Sequence, residues 1–82
     1  MDTAEQIRTF IQEEIAFGDD VVTITDETPL YEGIVDSLAL INLVAFLEKE
    51  FGILIEDADL SSENFQTVTA ITRLVQRRSD VG

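Results

Sequence analysis

Three observations predict an all-α fold for this sequence. Apolar residues recur at the 3.6-residue helical period in three separate stretches, around residues 7–15, 40–51 and 68–75. Each stretch is preceded by a residue that caps helices well. One proline and four glycines in 82 residues leave long segments free to be helical, and an apolar fraction of 45% is too high for a disordered chain. The length sets a single domain over 1–82, near the lower limit for folding on one core, with no cysteine to supply a disulfide.

Taken in order, Thr3-Ala4-Glu5-Gln6 has the pattern of a capping box and starts the first helix, with Thr3 as the cap. Ile7, Phe10, Ile11 and Ile15 share one face of it, and Gly18-Asp19-Asp20 ends it. No helical period persists from Phe17 to Val35, so a long loop follows. Its apolar residues Val21, Val22, Ile24, Leu30 and Ile34 can tack it onto the bundle. Asp26 and Thr28 before Pro29 mark a turn, and Pro29 can open a helical turn through Leu30 and Tyr31.

A second helix is predicted over 37–51, capped by Asp36 or Ser37 and stopped by Gly52. At 100° per residue, Leu40, Leu43, Val44, Leu47 and Phe51 fall in one arc, the core face, while Leu38, Ile41 and Ala45 form an apolar row on nearly the opposite side. Ile53, Ile55 and Leu60 continue the core, and residues 61–65 read as one short helical turn ending on a buried Phe65. Thr67 caps a last helix with Val68, Ile71, Leu74 and Val75 inward and Arg73, Arg77 and Arg78 toward its negative end. The core spans about 3–78, and residues 79–82 are expected to fray. The sum is three main helices, one short helix and a long first loop.

Composition removes whole classes of chemistry. Without cysteine or histidine there is no Cys/His zinc site, no thiol nucleophile and no Ser-His pair. No signal peptide or membrane span is recognisable, so the expected compartment is the cytoplasm. The net charge is −12, and between Glu13 and Glu63 fourteen acids face one base, Lys49. That field keeps a small protein soluble, repels nucleic acid and anionic membranes, and steers basic protein surfaces toward it.

Asp57-Ala58-Asp59-Leu60-Ser61 has the spacing that opens an EF-hand loop, but the sixth position is Ser62 instead of glycine and the twelfth is Val68 instead of glutamate. No metal site is expected. The carboxylates lack an apolar setting that would split a pair into acid and base, and Ser37 has no base, since Lys49 lies far along the same helix. No residue is assigned a catalytic role. Ser37 is then a helix cap or an attachment point for an anionic group, because the amides and positive dipole end of a helix favour a phosphate.

At these residues the chain resembles the acyl and peptidyl carrier proteins. The likeness rests on Leu30-Tyr31-Glu32-Gly33-Ile34-Val35-Asp36-Ser37-Leu38, on Glu48-Lys49-Glu50-Phe51-Gly52-Ile53, and on Ile55, Asn64-Phe65, Thr67-Val68 and Ile71, across nearly the whole chain. It implies a four-helix bundle in which Ser37, flanked by Asp36, carries 4'-phosphopantetheine donated by coenzyme A. A cargo acid is then held as a thioester on a thiol that the cofactor brings. The partners implied are a phosphopantetheinyl transferase, a loading ligase, adenylation enzyme or acyltransferase, and downstream tailoring or condensing enzymes. The protein would be a monomeric substrate carrier, not an enzyme.

Two departures narrow the resemblance. Fatty-acid carriers place acids along the first two turns of the second helix, where this chain has Ala39, Ile41, Asn42 and Ala45. Docking is therefore expected on Leu38, Ile41, Asn42 and Ala45, with the loop acids steering the approach. Gly33 lies four residues before Ser37, as in free-standing carriers of amino acids or unusual acyl units, including D-alanyl carriers. That places the expected role in natural-product biosynthesis or another specialised acyl or aminoacyl pathway. The alternative is a cofactor-free acidic helical module presenting the same apolar row to a partner helix.

Overall fold

The computed structural model describes residues 2–15, 24–30 and 35–81. Three α-helices, α1 (Thr3–Phe10), α2 (Ser37–Phe51) and α3 (Val68–Val81), a π-helical continuation of α1 (Ile11–Ile15) and a 3-10 turn (Asp57–Asp59) account for its regular structure. There is no strand among the described residues, so the all-α expectation holds.

The cap of α1 is Asp2, one residue before the predicted Thr3. Asp2 is extended, and its Oδ1 accepts the Glu5 N–H at 2.7 Å. Both residues are good caps, and the helical backbone already begun at Thr3 leaves the role to its neighbour. Beyond Phe10 the helix widens into π geometry, which sequence spacing had read as plain α. From that segment Gln12 Oε1 accepts the Ile24 N–H at 2.9 Å, fastening the loop.

Of the loop residues predicted to pack, Ile24 and Leu30 are buried. Phe17, Gly18 to Val22, Tyr31, Gly33 and Ile34 lie outside the described residues, and with them the predicted end of the first helix and the turn at Tyr31. The turn at Asp26 closes through the Thr28 N–H to the Thr25 carbonyl (3.3 Å), with Thr28 Oγ1 accepting the Thr25 N–H (2.9 Å). Arg8 pairs with Asp26 across to α1, and the Asp26 carbonyl accepts the Thr69 N–H at 3.1 Å from α3.

The core comprises Ile7 and Ile11, Leu43 and Leu47 from α2, Phe65, and Val68, Ile71, Leu74 and Val75 from α3, with Ile24, Leu30, Val35 and Ile55 contributed by the connections. Leu40, Val44, Phe51 and Ile53 pack at its edge. α2 spans the predicted residues and ends on Gly52 at φ 63, the left-handed conformation that glycine adopts without steric cost. Thr67 caps α3, accepting the Ala70 N–H at 3.1 Å, and that helix continues through Ser79 to Val81.

Two expectations fail between α2 and α3. Residues 62–65 form turns instead of a short helix, because the Ser61 hydroxyl and carbonyl both take the Asn64 N–H (3.3 and 3.2 Å) and the Asn64 side chain donates to the Asp59 carbonyl (3.0 Å). The short helical element is the 3-10 turn four residues earlier. Leu60 is 40% exposed, whereas Asp59 is buried. Arg78 reverses the expected order, since its guanidinium lies 2.5 Å from Asp59 Oδ2 and 3.0 Å from Glu56 Oε2 and draws the acid inward.

Candidate functional site

The path into α2 is fixed from the far side of the core. Leu30, fully buried, donates its N–H to the Gln66 carbonyl at 2.8 Å and accepts the Val35 N–H on its own carbonyl at 2.8 Å. Val35 is buried in turn, so Asp36 leaves the core at a set position. Asp36 is extended (φ −102, ψ −172), its Oδ1 accepts the Ala39 N–H at 2.8 Å, and its carbonyl accepts the Leu40 N–H at 2.9 Å.

Capping therefore belongs to Asp36, and Ser37 is the first residue of α2, exposed. The two readings of Ser37 thus separate: its hydroxyl is not the cap. It stands where first-turn amides and the positive dipole end favour an anion, so an ester-linked phosphate fits this position. Histidine and cysteine are absent from the sequence, and the Asp36 Oδ1 beside the hydroxyl is engaged by the Ala39 N–H. The hydroxyl is suited to receive a group that another protein transfers.

Leu38 and Ile41 are 68% and 65% exposed, and Asn42 and Ala45 are exposed beside them, on the side of α2 away from the fully buried Leu43 and Leu47. Among the described residues, neither the connections nor α3 covers this row. Leu54, 70% exposed just past Gly52, adds an apolar residue that periodicity did not single out, because it falls between the inward Ile53 and Ile55. Phe46 also went unnoticed in the sequence. It stacks on Phe10 of α1 (centroids 4.1 Å apart, planes at 15°), and an aromatic left outside the core stripe of α2 was the available signal.

The acidic loop is not arranged for a metal. Asp59 accepts the Glu56 N–H at 3.0 Å and pairs with Arg78, and among the described residues no group of three or more acids could hold an ion. The Arg78 guanidinium, helped by the Glu56 N–H, holds the Asp59 carboxyl below the usual carboxylate range. Glu48 Oε2 accepts the Ile55 N–H at 3.0 Å and secures the segment after Gly52. Among the described residues no helix is long and apolar enough to cross a membrane.

The family model for a phosphopantetheine attachment site matches residues 5–75. A D-alanyl carrier protein of Streptococcus suis is 34% identical over 87% of this chain and 87% of its own length. An acyl carrier protein of Thermotoga maritima is 34% identical over 89% of this chain and 86% of its own. A probable acyl carrier protein, PigG, of a Serratia species is 44% identical over 62% of this chain and 60% of its own. Among solved structures, one titled "Crystal structure of FAD-dependent dehydrogenase" contains a chain that superposes with a TM-score of 0.77 at 28% identity, covering 84% of this chain and 97% of that one.

Proposed function

The chain belongs to the phosphopantetheine-attachment family of carrier proteins, and on that premise we propose that Ser37 is its attachment residue. As in that family, the protein is a carrier without catalysis of its own: it holds 4'-phosphopantetheine covalently and acts with partner enzymes. The observation that carries the assignment is the division of labour at the start of α2, where Asp36 caps the helix and Ser37 stands exposed at its first position. In the attachment reaction the Ser37 oxygen bonds to the β-phosphorus of coenzyme A. The pyrophosphate bond breaks, adenosine 3',5'-bisphosphate leaves, and the hydroxyl proton passes to a base of the phosphopantetheinyl transferase.

The cargo is an acyl or aminoacyl group of a specialised pathway. The likeness to a D-alanyl carrier and to PigG supports this reading, as does the absence of acids in the first two turns of α2. A loading ligase, adenylation enzyme or acyltransferase charges the arm, and tailoring or condensing enzymes use it, all in the cytoplasm. The chain of this fold in a structure titled for an FAD-dependent dehydrogenase supports a flavin enzyme among the tailoring partners. These enzymes meet Leu38, Ile41, Asn42 and Ala45 first. Incubation with coenzyme A and a phosphopantetheinyl transferase tests the assignment: one arm's mass is gained by the native chain and by no Ser37→Ala variant.

A further inference from the structure

An open groove separates α1 from α2, and its floor is the Phe10–Phe46 stack, with Phe51 edge-on to Phe46 at 6.1 Å. Both stacked residues are partly buried and pack against the core. Its walls carry Glu13, Glu14 and Glu50, against one cation, Lys49. The near end is formed by Asn42 and Ala45, which belong to the exposed side of α2 that begins at Leu38, so one continuous surface runs from the Ser37 end of the helix to the rings. The two rings are stacked on each other, so they offer contact area to the apolar part of a ligand, while a cationic group in the groove is drawn to the carboxylates. A neutral acyl group would gain only contact area there.

We propose that this groove seats the cargo when the cargo is an α-aminoacyl group, with its ammonium facing Glu13 and Glu14 and its side chain against the Phe10–Phe46 pair. The inference rests on the reading that Ser37 bears the arm. The reach is sufficient: Phe46 lies nine residues beyond Ser37, roughly 14 Å along the helix axis. The arm from the serine oxygen to sulfur has about fourteen linked atoms, nearly five residue equivalents, and extends roughly 16 Å. A carrier so built holds aminoacyl cargo against its own surface and leaves neutral acyl cargo free on the arm.

The test loads the full chain, using a phosphopantetheinyl transferase, with coenzyme A analogues carrying an alanyl or an isobutyryl group through an amide in place of the thioester. The two cargoes share a shape and differ in one charge. Alanyl cargo is expected to shift the ring resonances of Phe10 and Phe46 and the amides of Glu13 and Glu14 relative to the unloaded arm. Isobutyryl cargo is expected to leave them in place, and Glu13→Gln with Glu14→Gln to abolish the alanyl shift in a folded chain. Mass gain without groove shifts, or equal shifts from both cargoes, overturns the groove and leaves the carrier reading standing. No mass gain overturns that reading, and the groove with it.

Discussion

Asp36 and Ser37 occupy adjacent positions and do different work. The Asp36 carboxylate closes the first turn of α2 on the Ala39 amide. Removing it in Asp36→Ala should cost about 1 kcal/mol, the usual value of such a cap. For a domain of this size that is a fall in Tm of roughly 4–8 °C. Asp36→Asn, which can still cap, should stay close to the native value in the same thermal scan. Ser37→Ala should leave stability nearly unchanged, because the hydroxyl does not cap the helix. Arm transfer should cease in that variant while the fold persists, which separates the attachment role from a structural one.

At the scale of elements, α2 was legible almost residue by residue. Asp36 before an apolar run and Gly52 after it are strong boundary signals, and the spacing of Leu43 and Leu47 set the inward face. The cap of α1 was misplaced by one residue because Asp2 and Thr3 are both capping types, and the backbone angle that decides between them is not written in composition. The loop before α3 was read wrongly for a different reason. Hydrophobicity placed Leu60 inside, but an ion pair with Arg78, nineteen residues away in sequence, turned Asp59 inward instead. No local pattern announces that contact.

That clasp has a consequence in acid. Asp59 titrates below its ordinary value of 3.8 in the folded chain, so the unfolded chain binds its proton first. Its contribution to stability is fully present above about pH 4 and is lost as pH falls through the lowered folded value. Protonation also relieves the repulsion among the many acids, so the comparison has to be made against a variant. Between about pH 5 and pH 2 the Tm advantage of the native chain over Asp59→Asn should shrink. An advantage that stays constant with pH would detach Asp59 from the effect. Phe65, fully buried beside this loop, should cost about 3–5 kcal/mol when cut to alanine, measured by urea unfolding.

The exposed row on α2 can be probed by a charge. Ile41→Asp lies on the surface and should change stability by no more than about 0.5 kcal/mol. It should nonetheless slow transfer between the loaded arm and a partner enzyme. Unchanged transfer rates in a folded Ile41→Asp chain would move the contact surface elsewhere.

For the whole molecule, charge and chemistry point the same way. A net charge of −12 with one base between Glu13 and Glu63 gives a field that draws in basic surfaces over a Debye length and weakens with salt. The rate of arm attachment at low substrate should therefore fall as ionic strength rises from about 0.01 to 0.15 M. Of the candidate site, the serine, its flank and the apolar row could be read from the chain. The Phe10–Phe46 groove could not, since it exists only once α1 and α2 lie side by side.

One attachment point is proposed, the Ser37 hydroxyl at the first position of α2. The native chain, treated with coenzyme A and a phosphopantetheinyl transferase, is digested and its peptides are weighed and fragmented. A single added phosphopantetheine is expected on the peptide containing Asp36-Ser37-Leu38, located on Ser37. An unmodified chain, or an arm found on any other serine or threonine, would contradict it.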